Sequence, residues 1–139
     1  MHRIGHAIAL SVLATSCVSA QRATPAVPIA TEPITRTLLA QHALAEAPGW
    51  ETRLYLIHYE PGVAAPLHHH PVEGMGYVVH GSFESAFDGE ATTIVREGES
   101  FTDRALVPHT LFRNVDAREP LEFLITYVVR TGDPVIETP

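Results

Sequence analysis

The stretch Pro61–Gly81, PGVAAPLHHHPVEGMGYVVHG, decides the fold. It places three consecutive histidines between a proline–glycine turn and an apolar run, and a fourth histidine precedes the closing glycine. Because side chains alternate along a strand, His68 and His70 point to one face and His69 points to the other. Two imidazoles on one face of a strand can bind one metal ion from one side. The stretch therefore predicts part of a metal site.

Two other interpretations of the histidine run remain open at this stage. Histidines beside Pro71 also fit a solvated surface loop, and a buried histidine also fits a hydrogen-bonded core residue. A purification tag does not fit, since a tag lies at a terminus and this run is internal. The best candidate for a third ligand is His109, in LVPHTLF, which begins a later predicted strand after a proline turn. Three neutral imidazoles would leave coordination positions open for water, substrate or oxygen.

The composition narrows the chemistry further. A chain of 139 residues fits one domain, and 45% apolar residues is ordinary for a globular protein. The net charge of −7 argues against nucleic acid as a partner, because phosphate binding needs a cationic surface. All nine basic residues are arginine, which excludes lysine chemistry. With Cys17 as the single cysteine, the chain builds no disulfide framework and no thiolate metal cluster.

Residues 1–20 have the pattern of a signal peptide. A positive residue precedes a short apolar run, and Val18-Ser19-Ala20 resembles a cleavage site before Gln21. This pattern predicts export to the periplasm or the medium. A second route is lipidation, because the segment from Ala14 to Cys17 loosely resembles a bacterial lipobox and would anchor the protein to a membrane through Cys17. An ordinary N-terminal helix or a misplaced start remains the alternative.

The rest of the chain predicts an all-β barrel or sandwich after an extended linker or arm over residues 21–34. That segment contains several prolines, and Thr35 to Ala47 is weakly helical or a short strand. Beyond it, short strands alternate with turns about every ten residues, and Asp88-Gly89 is a hairpin signal. The predicted strands are Arg53–Glu60, Met75–His80, Ser82–Asp88, Ala91–Arg96, Ser100–Thr102, His109–Asn114 and Leu121–Val129.

Two segments resemble the two sequence motifs of the cupins, and the likeness to a small single-domain cupin covers about Thr35 to Val129. The first motif is glycine, five residues, H-x-H, three or four residues, glutamate, six residues and glycine. The second runs from a glycine through P-x-G to a histidine and an asparagine. The matching residues are Gly62, His68, His70 and Gly81, then Gly98, His109 and Asn114. The resemblance implies a jelly-roll β-barrel over residues 35–139 with a short N-terminal arm, and it implies a homodimer.

The sequence departs from these motifs at two places. The motif glutamate falls at Gly74, and Glu73 would face outward unless Pro71 introduces a β-bulge. The resemblance therefore implies a centre of three histidines without a carboxylate, with Glu73 as fourth ligand only if that bulge forms. In the second motif, P-x-G reads Arg104-Ala105-Leu106, so the turn before His109 must be built differently.

Four further residues have weaker interpretations. Alternation along the strand turns His80 inward, but His80 is the last residue of its strand, so we expect it at the rim of the barrel. His58 alternates with two leucines and is expected in the core or beside a metal ligand. Gly74 and Gly76, on the inner face, would leave room for a substrate pocket.

The resemblance implies a divalent metal and a small-molecule substrate or ligand. Iron(II) is favoured, with manganese, nickel, copper or zinc as alternatives. The leading hypothesis is a dioxygenase-type oxidoreductase, because similar cupins include dioxygenases. A centre without a carboxylate would carry a +2 charge, which favours binding of an anionic enolate. A non-oxidative isomerase or lyase is the second hypothesis, and a non-catalytic ligand-binding module is the third. The fold does not choose among them.

Overall fold

The computed structural model describes residues 32–139. The predicted signal peptide, Cys17 and residues 21–31 of the predicted arm lie outside the described residues. Among the described residues, no helix is long and apolar enough to cross a membrane. The eight strands are β1 (Ile34–Ala43), β2 (Trp50–Tyr59), β3 (Gly74–His80), β4 (Ser82–Phe87), β5 (Thr93–Arg96), β6 (Ser100–Asp103), β7 (His109–Asn114) and β8 (Leu121–Arg130).

The strands form two antiparallel sheets. One has the order β1-β2-β8-β3-β6, and the other has the order β5-β4-β7. This jelly-roll-like arrangement confirms the all-β fold expected from the spacing of turns. The β4–β5 hairpin also forms where Asp88-Gly89 predicts it, with Gly89 at a φ of 77°. The glycine is needed there because a left-handed φ costs little only without a Cβ.

The segment for which the sequence left helix and strand open forms strand β1. It pairs with β2 along its whole length, from Ile34 opposite Tyr59 to Ala43 opposite Glu51. This pairing satisfies the backbone groups of β1 that face β2, and a short helix of weak propensity would gain no comparable packing. The strand begins at Ile34, inside the segment that the sequence assigned to the arm.

The core lies between the two sheets and is largely aromatic. In β8, every second residue from Leu121 to Val129 is buried, so one face of this strand packs inward. Phe83 and Phe112 of the smaller sheet stack with ring centroids 4.2 Å apart, and both contact Phe123 of β8. Full burial of such a side chain contributes about 1.5–3 kcal/mol. This cluster therefore joins the two sheets.

Glycines on the inner face of β3 make space for two rings of the core. A Cβ on Gly74 would lie 2.4 Å from a ring carbon of Tyr127, and a Cβ on Gly76 would lie 2.2 Å from a ring carbon of Phe101. The sequence analysis expected these glycines to leave room for a substrate pocket. The structure corrects this expectation, because the rings fill that room.

Candidate metal centre

Backbone pairing brings the three candidate ligands together. His68 and His70 lie in the segment before β3, and His109 is the first residue of β7. His68 forms a β-bridge with His109, whose N–H donates to the His68 carbonyl at 2.7 Å. One potential ligand atom from each of the three rings lies within 4.8 Å of the others, and all three residues are buried. His69 faces away, where its ring contacts Glu137 at 3.0 Å.

Hydrogen bonds fix the orientation of two of these rings. Nδ1 of His68 bonds the Pro66 carbonyl at 2.7 Å, and Nδ1 of His70 bonds the Val135 carbonyl at 2.8 Å. A carbonyl oxygen only accepts, so each Nδ1 donates and each Nε2 carries a lone pair. Carbonyl bonds of this kind hold metal-binding histidines in other proteins. Nε2 of His109 instead bonds Ser85 Oγ at 2.8 Å.

Two nitrogens of the cluster are buried and have no hydrogen-bond partner among the described residues: Nε2 of His70 and Nδ1 of His109. Leaving a polar atom buried in this way costs about 1–3 kcal/mol. A divalent metal ion would bind the lone pair of His70 Nε2, and it would bind that of His109 Nδ1 in the tautomer whose Nε2–H donates to Ser85 Oγ. Imidazole nitrogens suit first-row divalent metals. The cluster therefore fits a divalent metal centre.

The protonation state of the rings agrees with this chemistry. Burial, together with the neighbouring His68 and His70, lowers the pKa of His109 to about 3. Burial also lowers the pKa of His68, although the bond to Pro66 acts in the opposite direction. These two imidazoles are neutral at pH 7, which is the form that binds metal.

Asp103, the last residue of β6, is a carboxylate that the sequence analysis missed. Its Oδ2 lies 3.3 Å from Nε2 of His70, and its Oδ1 lies 3.8 Å from Nδ1 of His109. The Tyr127 hydroxyl donates to Oδ2 at 3.0 Å. Burial raises the pKa of Asp103, while His70 and the Tyr127 bond act against this shift. A carboxylate that the sequence analysis did not name therefore lies beside the three histidines.

A weak signal for Asp103 exists in the sequence. The predicted strand ended at Thr102, but β6 extends to Asp103. Asp103 lies on the same face of the strand as the half-buried Phe101. A charged residue with inward parity is unusual enough to suggest a role. Its closeness to the histidines could not be inferred locally, because it depends on pairing between β3 and β6.

Glu73 is not part of the histidine cluster. It is exposed, and the inner positions Gly74, Gly76 and Val78 of β3 are buried in unbroken alternation. The inward turn at Pro71 that could have brought Glu73 to the cluster does not occur, so the structure does not place this carboxylate with the three histidines.

The other two histidines of interest lie at the surface. His80 is exposed and contacts Glu97 at 3.3 Å, which agrees with a rim position. His58 is half-buried and contacts Glu122 at 3.2 Å. It alternates with the buried Ile57 and Tyr59, so it faces away from the core. The expectation of a core position for His58 is wrong.

The turn before His109 uses a residue other than glycine in a left-handed conformation. Leu106 has a φ of 62°, and its N–H donates to the His70 carbonyl at 2.8 Å. The turn thus holds the His70 segment against β7, although the motif proline and glycine are absent. Its conformation at Leu106 is one that glycine adopts freely.

A narrow cavity of about 40 Å³ opens beside His68 and His70. Since one water needs about 10–15 Å³ on this measure, the cavity holds only a few waters or a small molecule. Its wall is mainly aromatic, and Arg36 contributes a positive charge. Burial raises the pKa of Tyr59 to about 12, so this hydroxyl is protonated at neutral pH.

Comparisons with known proteins agree with this fold. A cupin-like protein from Thermotoga maritima is 19% identical with a TM-score of 0.58, over 76% of this chain and 75% of the other. The DMSP lyase DddQ from Ruegeria pomeroyi is 20% identical with a TM-score of 0.53, over 62% and 42%. An oxalate oxidase in complex with the substrate analogue glycolate is 22% identical with a TM-score of 0.56, over 76% and 54%. This chain thus matches less than half of the lyase and about half of the oxidase. No curated protein matches.

A jelly-roll-like fold around a buried histidine cluster defines a class of small metal-binding β-barrel proteins. Residues 55–135 match the family model described as the cupin domain, and the chain belongs to this family. The resemblance seen in the two motifs is therefore confirmed. Identities near 20% show that this chain shares the fold of these proteins, but they do not show that it shares their activities.

Proposed function

We propose that this protein is a metal-dependent cupin enzyme of dioxygenase type that acts on a small organic anion. His68, His70 and His109 hold iron(II) in this proposal, with manganese, nickel, copper or zinc as alternatives. This proposal rests on two buried nitrogens that lack hydrogen-bond partners in the described part of the chain, Nε2 of His70 and Nδ1 of His109. A divalent ion bound there would polarise a substrate carbonyl or enol, and iron(II) would supply the electron chemistry that oxygen requires.

The residues around the cavity support an anionic substrate. Arg36 lines the cavity and forms no ion pair within residues 32–139, so its guanidinium can bind a carboxylate or enolate oxygen. Tyr59 keeps its proton and can donate to a second substrate oxygen. The narrow cavity with its aromatic walls leaves room for only a few waters, which strengthens both interactions.

Elemental analysis of the purified protein tests the site. We expect near-stoichiometric metal in the wild type and a large loss in His109→Ala and in the His68→Ala/His70→Ala double variant. His69→Ala is the matched control, because this ring lies in the same run but faces away from the cluster. Full metal occupancy in His109→Ala would contradict the assignment.

Oxygen uptake tests the type of reaction. Small carboxylates, diketones and enols are suitable substrates for a screen in an oxygen electrode, with the metal-free protein as control. Oxygen consumption with product formation supports the dioxygenase proposal. Turnover without oxygen consumption would identify a non-oxidative isomerase or lyase. Binding without turnover would identify a ligand-binding module.

Export and self-association remain predictions. The signal peptide and Cys17 precede the described residues, so periplasmic or secreted protein, or a lipid-anchored form, is expected from sequence alone. A homodimer is expected from the family resemblance. The outer face of β3 exposes Met75 and Tyr77, and a second copy of the chain would cover such an apolar surface.

A further inference from the structure

We propose that Asp103 is a fourth ligand of the metal centre and replaces the glutamate of the first cupin motif. This inference rests on the proposed function, since it assumes that the histidine cluster binds a metal. It differs from the site implied by the sequence, which had three histidines and no carboxylate. In this proposal the carboxylate ligand comes from β6 and not from the neighbouring strand β3.

Strand pairing places Asp103 beside the position of the missing glutamate. In the antiparallel ladder between β3 and β6, Asp103 is the direct partner of Gly74. Residues that pair in this way share a face of the sheet, with Cβ positions about 4.5–5.5 Å apart. A carboxylate on either residue can therefore reach the same space. The motif position at Gly74 and the observed carboxylate are neighbours across one rung of the ladder.

Tyr127 explains why the carboxylate is on β6 rather than on β3. It pairs with Gly74 from the other side, in β8, and its ring fills the space that a side chain at position 74 would need. Its hydroxyl then donates to Asp103 Oδ2 at 3.0 Å. The ring of Tyr127 thus leaves no space for a glutamate at position 74, and the hydroxyl of the same residue orients Asp103, the carboxylate that replaces it.

The distances fit ligands of one ion better than a direct hydrogen bond. The two oxygens of Asp103 face the two nitrogens that lack partners, at 3.3 Å from His70 Nε2 and 3.8 Å from His109 Nδ1. With metal–ligand bonds of about 2.1 Å, two ligands of one ion are about 3.0 Å apart at a right angle and about 3.6 Å apart at 120°. The separations from His70 and His109 lie in or close to this range, whereas, among the described residues, the group of potential ligand atoms that all lie within 4.8 Å of one another contains the three histidines alone.

A purely positioning role for Asp103 fits the geometry less well. A carboxylate that orients a metal-binding histidine bonds the ring nitrogen turned away from the metal. In His70 that nitrogen is Nδ1, which already donates to the Val135 carbonyl. Asp103 faces the opposite nitrogen, whose lone pair is directed into the cluster. It therefore lies on the side of the ring where the metal would bind.

Cobalt(II) binding tests this assignment through affinity and absorption spectrum. The variants are Asp103→Ala and Asp103→Asn, and the control is Asp88→Asn, a change at an exposed aspartate of the β4–β5 turn. We expect the Asp103 variants to bind cobalt more than about 100-fold more weakly than the wild type. Loss of a residue that only orients a metal ligand weakens binding by at most about this factor. We also expect an altered visible spectrum, with added formate restoring the wild-type spectrum in Asp103→Ala. The control should bind as the wild type does.

The outcomes separate this inference from the proposed function. A wild type that binds no metal would overturn both. A wild type that binds cobalt, together with Asp103 variants of equal affinity and identical spectrum, would overturn the role of Asp103 alone. If the Asp103 variants do not fold, Tyr127→Phe replaces them, because it keeps the ring beside Gly74 and removes the hydroxyl. We then expect a shifted spectrum and about tenfold weaker binding, and an unchanged spectrum would count against the inference.

Discussion

Leu106 is a single residue that maintains the site at a cost in backbone strain. Its φ of 62° is left-handed, and its side chain is 74% exposed, so the leucine gains little from burial there. For an ordinary residue this conformation costs about 1–2 kcal/mol. The strain persists because the N–H of Leu106 donates to the carbonyl of His70. The turn thus contributes to the position of a candidate ligand.

Replacing Leu106 by glycine should stabilise the protein. Glycine removes the strain but loses about 0.5–1 kcal/mol through the greater freedom of the unfolded chain. We therefore expect Leu106→Gly to raise the free energy of unfolding by about 0.5–1 kcal/mol, measured by urea denaturation. Leu106→Ala is the control, because it removes the same exposed side chain and keeps the strain. A glycine variant no more stable than the alanine variant would refute the explanation.

The individual residues of the site differ in how far sequence could predict them. His68 and His70 were predicted to share a face because alternation is a local property of one strand. Their proximity to His109 was inferred from the position of this histidine at the start of a later predicted strand and from its match to the second motif. Asp103 was missed because its partner, Gly74, is about thirty positions away in the chain. A long-range pair of this kind leaves no local pattern.

At the scale of an element, β3 shows how a strand can shape the core by omitting side chains. Gly76 pairs with Phe101 of β6, whose ring lies over the glycine. The same ring contacts Phe83 and Phe123, with centroids 4.9 Å and 5.3 Å away. Any displacement of the Phe101 ring would therefore disturb the cluster that joins the two sheets.

Gly76→Ala should destabilise the protein by overpacking this strand. The added Cβ would lie 2.2 Å from a ring carbon of Phe101, so the ring must move. We expect a loss of about 1–3 kcal/mol in the free energy of unfolding, measured by thermal or urea denaturation. The Gly76→Ala/Phe101→Leu double variant should be more stable than the sum of the two single changes predicts. Additive effects would show that the clash is not the cause.

The strands themselves were predictable where turns and alternation were strong. The segments from β2 to β8 were located to within a few residues, because glycine-containing turns separate short runs of branched and aromatic residues. The exception was β1, whose residues have mixed propensity. Its strand conformation comes from pairing with β2 and from no signal of its own.

At the scale of the whole molecule, the buried site links stability to pH. For His109 the pKa falls from about 6.5 in the unfolded chain to about 3 in the folded protein. Between these values the unfolded chain binds a proton that the folded protein does not, so acid favours unfolding. His68 shifts in the same direction. The raised pKa of Asp103 acts in the opposite sense, because the folded protein takes up that proton first.

The metal-free protein should therefore lose stability as the pH falls below about 6.5. For His109 alone, we expect the free energy of unfolding to fall by up to about 2 kcal/mol between pH 7 and pH 5. Urea denaturation in the presence of a chelator, repeated across this range, measures the loss. His109→Gln should flatten the curve, because the variant lacks the group that takes up a proton only on unfolding. A wild type whose stability falls no more steeply with pH than that of His109→Gln would mean that the buried ring takes up a proton as readily in the folded protein as in the unfolded chain. This result would contradict the packing that also leaves its Nδ1 without a partner among residues 32–139.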